Sequence, residues 1–317
     1  MPAQRVTNDE IAAALRVTNS PTQISKMLGI TQRALITRLR SMGVPPLPPG
    51  RPKTTTPYIL NRAQGRIDVT VEDGVVIVGS DAHYMPGTVS TAHRALLKFI
   101  RELKPRVVVM NGDVFDGGSI SRYPRIGWDK KVSVMDELKA VDARLTEIEN
   151  VAGPATLVWP MGNHDARYET FLAASAPQYE GVHGFSLKDH FPKWQACWGL
   201  WINQDTCPTV VKHRFKGGIH ATRNATLNSG VNIITGHLHS LKVAPLTDYN
   251  GTRYGVDTGT LADPYDTQFS DYTELNPVDW RSGFVVLTFW KGELLMPELV
   301  FVRGEGVVEF RGKVLEV

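Results

Sequence analysis

Val107-Val108-Val109-Met110-Asn111-Gly112-Asp113-Val114-Phe115-Asp116 runs an apolar, β-branched segment straight into a turn and two carboxylates. Such a run, bounded by turn-forming residues, reads as a buried strand. Open α/β sheets place their chemistry at the carboxyl ends of strands, so Asp113 and Asp116 stand where ligands belong. Gly112 lets the backbone crowd close to them. The pattern repeats outward. Val75-Val76-Ile77-Val78 passes through Gly79-Ser80 to Asp81-Ala82-His83, and Thr156-Leu157-Val158-Trp159 leads to Gly162-Asn163-His164-Asp165. Val231-Asn232-Ile233-Ile234 leads to Gly236-His237-Leu238-His239. Asp81 with His83, and His237 with His239, occupy alternate positions, which on an extended segment share one face and can grip one ion. The stretches Thr88 to Leu103 and Val134 to Val151 separate the first three strands and have apolar residues near helical spacing. Strand, helix, strand with ligands at strand ends predicts a layered α/β domain.

One aspartate at a strand end is usually a turn or helix cap, and a lone histidine is more often a satisfied core or surface residue than a ligand. Those explanations would have to hold independently at four or five places in one chain, so the joint reading is a metal centre. Mixed oxygen and imidazole donors suit Mn²⁺, Fe or Zn²⁺ better than Ca²⁺, and two Mn²⁺ ions are the expected cofactors. Cys197 and Cys207, the only cysteines, form no thiolate set for structural zinc. Two cations about 3.5–4 Å apart can hold a phosphate, activate a bridging hydroxide and stabilise an in-line transition state. Asp113 is the natural bridging carboxylate.

These motifs resemble those of the calcineurin-like metallophosphoesterase superfamily over roughly residues 75 to 260. The resemblance implies a four-layer sandwich of two mixed β-sheets flanked by helices, with the metals at one sheet edge. It also implies that Asp81, His83 and His239 hold one metal. Asn163, His237 and an upstream histidine would hold the other, with Asp113 between the two. His164 would stabilise the transition state or protonate the leaving oxygen, and Asp116 would orient His164. The upstream ligand is His213, at the end of the strand-like Pro208-Thr209-Val210-Val211-Lys212, or His220. His213 lies 24 residues before His237, the spacing of compact family members, and His220 only 17. Protein serine/threonine phosphatases of the superfamily carry arginine directly after the position of Asp116. Here Gly117-Gly118 follows, which argues against that branch.

The front of the chain reads as a different module. Its first sixty-six residues hold ten Lys or Arg against Asp9 and Glu10, a balance of +8, and the remaining 25 basic and 30 acidic residues give −5. A basic end on an ordinary domain points to nucleic acid. Three short helices are expected: one after a Thr7–Glu10 capping box with Ile11, Ala13 and Leu15, a second from Ser20-Pro21-Thr22-Gln23 to Gly29, and a third capped by Thr31 and reaching about Met42. Ile24, Leu28, Ile30, Leu35 and Leu39 would share a small core. The stretch Gln23 to Val44 resembles a helix-turn-helix of the inversion-stimulation-factor type, which implies a third helix in the major groove with Gln32, Arg33, Thr37, Arg38 and Arg40 facing DNA. A docking or oligomerisation module is the plainer alternative. The domain limits are then 1–44 for the helices, 45–65 for a Pro-rich semi-rigid linker and 66–317 for the α/β domain.

An apolar content of 42% supports a real core. Two cysteines suit a reducing compartment. No secretion signal or run of 18 apolar residues is evident, so the expected setting is the cytoplasm of a bacterial, or virus-infected bacterial, cell, with no membrane partner and oligomeric state unassigned. The aromatics from Phe191 and Trp194 to Trp198 and Trp201 could floor a cleft, though core packing or a dimer contact weighs more. Phe284 to Phe289 reads as a strand closing the second sheet. The expected activity is metal-dependent hydrolysis of a nucleic-acid phosphodiester, with Arg122, Tyr123, Arg125, Trp128, Arg167 and Arg214 on the backbone and bases. The rivals are a phosphomonoesterase or cyclic-nucleotide phosphodiesterase and a non-catalytic DNA-binding regulator.

Overall fold

The computed structural model describes residues 6–18, 21–44, 65–123, 131–266, 269, 273–274 and 276–317. The chain divides into two units, 1–63 and 64–317. Ser20, the linker to residue 64, Arg125 and Trp128 lie outside the described residues.

The small unit contains α1 (Asn8–Val17), α2 (Pro21–Leu28) and α3 (Gln32–Ser41). Thr7 and Glu10 close a capping box on α1, and Thr31 Oγ1 accepts the Ala34 N–H at 3.2 Å on α3. Each such cap contributes about 1 kcal/mol. Gly29 ends α2 with φ 64°, a left-handed backbone open to glycine without penalty. Ile11, Ala14, Ile24, Leu35 and Leu39 are buried together, with Leu28 and Ile30 packed beside them. Ala14, not Ala13, is the inward alanine of α1. Gln32, Arg33, Thr37 and Arg40 are exposed on α3. Arg38 is not free as expected: it is half-buried and donates to the Val6 carbonyl at 2.8 Å.

The large unit begins with β1 (Arg66–Val69) and then alternates β2 (Gly74–Gly79), α4 (Thr91–Leu103), β3 (Val107–Met110), α5 (Val134–Ala152) and β4 (Thr156–Pro160). Strands β2, β3 and β4 pair in parallel, and their residues divide by parity. Ile77, Val108, Met110 and Trp159 pack against Leu96, Phe99, Ile100 and Leu145 of the helices. Val76, Val78, Val107, Val109 and Val158 face a second core. Both faces are therefore buried, which is why these strands are continuously apolar.

Beyond β4 come α6 (Ala166–Ser175), β5 (Gln195–Cys197), β6 (Gly199–Ile202), β7 (Thr209–Val211), α7 (Ala221–Ser229), β8 (Asn232–Thr235), β9 (Lys242–Asp248) and β10 (Gly251–Asp257). The last strands are β11 (Gly283–Trp290), β12 (Glu293–Leu294), β13 (Glu298–Gly304), β14 (Val307–Phe310) and β15 (Lys313–Glu316). One sheet runs β15-β14-β13-β11-β2-β3-β4-β5, with β12 beside β11, and the other β1-β6-β7-β8-β10-β9. Leu200, Ile202, Val211, Ile234 and Val256 of the second sheet complete the core between them. On its far face α7 closes on β10, where Thr222 and Thr226 press on Gly255. The result is helix, sheet, sheet, helix.

Phe284 to Phe289 does form a strand, but not in the second sheet. β11 pairs antiparallel with β2, placing Val285 opposite Val78 and Phe289 opposite Gly74. Its Val285, Leu287 and Phe289 enter the inter-sheet core. Phe191 and Trp194 are core residues on the helix side of the first sheet. Among the described residues, no helix is long and apolar enough to cross a membrane.

Candidate metal centre

The ligand-bearing loops leave the strand ends and change conformation at once. Asp81, His83, Asp113, His237 and His239 have φ of 52°, 42°, 51°, 74° and 57°. Left-handed turns bring Asp81 and His83 together and send His237 and His239 to different donor groups; neither pair is on extended chain, as the alternation suggested. Asp and His tolerate this region better than most residues, though each such position still costs about 1–3 kcal/mol. Backbone bonds continue the β2–β3 pairing into the loops: Asp81 N–H donates to the Gly112 carbonyl and His83 N–H to the Asp113 carbonyl, both at 2.9 Å. A Cβ at Gly162 would overlap Asp113 Oδ1, and one at Gly112 would strike the His213 ring. Glycine is required at both for the loops to approach.

Three groups of donor atoms lie within 4.8 Å of one another: Asp81, His83 and His239; Asp113, His213 and His237; and His83, Asp116 and His164. His213 joins them, with Nε2 3.1 Å from Asp113 Oδ2 and 3.9 Å from Asp81 Oδ1. Its Nδ1 donates to the Asn111 carbonyl at 2.7 Å, which fixes the tautomer and turns Nε2 toward the carboxylates. His220 is exposed at the start of α7 and takes no part. His83 Nδ1 and His164 Nδ1 both reach Asp116 Oδ1, at 2.9 and 2.8 Å. Asp116 thus holds two imidazoles, where the sequence suggested one. His164 N–H donates to Asp113 Oδ1 at 2.8 Å.

Burial alone would raise the carboxyl pKa values. At Asp81 the rings of His239 and His213 outweigh it, and at Asp113 those of His213, His164 and His83 do, so both lie below the ordinary range. Asp116 is likewise lowered by His164 and His83 against its burial. Burial would lower His213, yet Asp81 and Asp113 push it up to about 10. His164 is also raised, by Asp116 and Asp113 against burial. The donor set therefore calls for positive charge.

Residues 75–241, more than half of the chain, match the family model described as calcineurin-like phosphoesterase. The chain belongs to that family. It is accordingly a hydrolase acting on phosphoester bonds. No curated protein sequence matches it. Similar solved structures include Entamoeba histolytica Vps29 complexed with Zn²⁺, at 13% identity, covering 76% of this chain and 98% of that one with TM-score 0.41. Another is YfcE, a phosphoesterase from E. coli, at 16% identity, 70% and 97% coverage and TM-score 0.32. A dimetal phosphatase from Danio rerio is similar at 12% identity, 77% and 98% coverage and TM-score 0.38.

The phosphoesterase centre fits divalent cations on its own chemistry. Asn163 Oδ1 and His239 Nδ1 are buried without a hydrogen-bond partner among the described residues, and such atoms are rarely left idle. Sequence reading gave no part to Asp165, which is fully buried and central to the phosphoesterase loops. Its carboxylate accepts N–H bonds from Asp113, Val114, Phe115, Gly162 and the Trp159 ring, at 2.7–3.0 Å. Burial and the Asp113 charge raise its pKa, but five N–H donors leave no acceptor for a carboxylic proton, so the ionised form is the one the loop accommodates. The only available signal was its place directly after His164. Phe269 and Trp280 were also missed: their rings meet those of His83 and His239 at 5.6 and 4.5 Å, forming an aromatic wall on one side of the site. Arg122 and Tyr123 are exposed, and Arg214 is exposed beyond His213.

Proposed function

We propose that the chain is a DNA-directed phosphodiesterase, a nuclease, whose catalytic unit is brought to its substrate by a helix-turn-helix at residues 1–44. Asp81, His83 and His239 would hold one divalent cation and Asn163, His213 and His237 a second, with Asp113 between them. Manganese suits this oxygen and imidazole set, as would iron or zinc. When bound, the cations supply Lewis acidity and a nucleophilic water at neutral pH. The protein's own residues do the rest. His164 faces the reacting phosphate through Nε2, 3.9 Å from Asp113 Oδ2, with Nδ1 tied to Asp116. A ring so held can give a proton to a leaving oxygen.

The observation that carries DNA as substrate is the small unit. It is a basic three-helix body whose α3 exposes Gln32, Arg33, Thr37 and Arg40. These side chains suit base edges and phosphates, and tethering raises the local concentration of DNA at the centre. The −5 balance of residues 67–317 favours a second reading, since a net negative surface repels a polyanion. In that reading the enzyme is a phosphomonoesterase or cyclic-nucleotide phosphodiesterase. Plasmid and single-stranded DNA, offered beside p-nitrophenyl mono- and diesters with Mn²⁺, separate the two. Cleaved DNA supports the nuclease. Intact DNA with hydrolysed small esters refutes it.

A further inference from the structure

Among the described residues, Arg167 stands against the centre without an ion pair of its own. Arg167, in the first turn of α6, donates from Nη1 to the Asp116 carbonyl at 2.9 Å and from Nη2 to His164 Nε2 at 3.1 Å. Its stem lies across Gly117, where a Cβ would press on Arg167 Cβ and Cδ at 3.3 Å. Asp116 Oδ1 is taken by two imidazoles, and Glu137 Oε2 accepts the Gly117 N–H at 2.8 Å. Among the described residues Arg167 forms no ion pair. A half-buried guanidinium is thus anchored on the Asp116 carbonyl oxygen, with Nη2 3.1 Å from a ring nitrogen of His164. Three of its five N–H groups remain for a ligand.

We propose that Arg167 is a catalytic residue that binds the scissile phosphate, donating to a non-bridging oxygen on the side of the leaving group. Position supports this: Nη2 is one hydrogen bond from His164 Nε2, which itself lies 3.9 Å from Asp113 Oδ2. A phosphate seated over Asp113 with its leaving oxygen toward His164 has an outward oxygen within reach of the guanidinium. Chemistry supports it as well, because planar paired donors match phosphate oxygens in a way that an ammonium does not. The proposal rests on the phosphoesterase reading of the centre and is indifferent to whether the ester is DNA.

The test compares wild type, Arg167→Met and Arg167→Lys, full-length and Mn²⁺-loaded. Metal content, affinity for inorganic phosphate by calorimetry, and turnover of p-nitrophenyl phosphate and bis(p-nitrophenyl) phosphate are measured on each. Expected are unchanged metal content, phosphate binding weakened about tenfold or more in Arg167→Met, and kcat/KM lowered on the order of 10²-fold. Lysine should restore only part, and millimolar guanidinium should raise turnover of Arg167→Met but not of wild type. Phosphate affinity and kcat/KM both within twofold of wild type would overturn the proposal. So would loss of metal from both variants, which would give Arg167 a structural part only. If no protein, wild type included, hydrolyses any ester while phosphate affinity still falls in Arg167→Met, the phosphoesterase reading fails and the anion site stands.

Discussion

Replacing Asp165 with asparagine removes one acceptor oxygen while keeping the side chain's shape, so its effect can be worked from the hydrogen bonds it makes. Oδ2 serves Asp113 N–H, Gly162 N–H and Trp159 Nε1–H; Oδ1 serves Val114 and Phe115 N–H. An amide can present its oxygen to only one of these sets. The better choice faces the set of three and turns its own NH₂ toward two buried N–H groups. Each donor stranded in this way costs about 1–3 kcal/mol, giving about 2–6 kcal/mol in all. A domain is typically stable by about 5–15 kcal/mol, so the change is large. Urea unfolding of Asp165→Asn should show a midpoint lowered accordingly with the slope unchanged, and metal content should fall because the same N–H groups shape the Asp113 loop. A loss below about 1 kcal/mol with full metal content would show that the loop does not depend on these bonds, and the reasoning would be wrong.

Other outcomes follow from the same geometry. His164→Ala should keep its metal, since the ring is held by Asp116 and not needed as a ligand, while turnover falls about 10²-fold or more; parallel loss of metal by elemental analysis would reassign the ring. Glu137 is buried beneath the 116–118 loop, where burial and the Asp116 charge raise its pKa from 4.5 to about 7. Its protonated form is favoured in the fold, so that stability is fully present below pH 4.5 and is lost as pH rises through 7. The gap is worth on the order of 3 kcal/mol, so the stability of wild type minus that of Glu137→Gln should fall by that amount between pH 4.5 and 8; denaturant curves with no such trend would contradict it. On the DNA reading, Arg33→Ala with Arg40→Ala should weaken binding and lower the slope of log K against log salt by about one for each phosphate no longer neutralised, whereas an unchanged slope would remove α3 from the interface.

The strands before the centre were legible because their signals are local. Val75–Val78, Val107–Met110, Thr156–Trp159 and Val231–Ile234 are each a short, mostly apolar run with a glycine within three residues of its end, and a strand buried on both faces needs little else to announce it. Helix limits were equally local: Ser90 and Ser133 accept N–H bonds at the starts of α4 and α5. Sheet membership was not legible, because β11 could pair with either sheet on its own pattern and its place beside β2 is decided by residues two hundred positions away. The left-handed turns at Asp81 and His239 leave no mark that distinguishes them from extended chain of the same sequence. Arg38 reads as a solvated side chain of a basic helix, and only the fold brings the Val6 carbonyl to it. Asp165 was hidden for another reason: a carboxylate that binds five N–H groups looks, in sequence, like any acidic residue at the start of a helix.

Five strained residues on one centre would be hard to hold if the cations alone drew them together. At about 1–3 kcal/mol each, the left-handed positions cost as much as a domain's entire stability. The fold offsets this with bonds made by the protein's own groups. Thr260 Oγ1 donates to the Asp81 carbonyl at 2.6 Å, His237 N–H to Asp81 Oδ2 at 2.9 Å and Arg281 N–H to the His239 carbonyl at 2.6 Å. Asp165 secures the Asp113 loop, and Asp257 Oδ1 accepts Ser240 N–H directly after His239. Such a centre is preorganised, so binding energy from the cations is not consumed in folding the loops and remains for the phosphate. The same logic explains why Asp116 takes two imidazoles on one oxygen. Fixing His83 and His164 through a common carboxylate makes the position of a ligand and that of a proton carrier depend on each other, so neither ring can drift without the other.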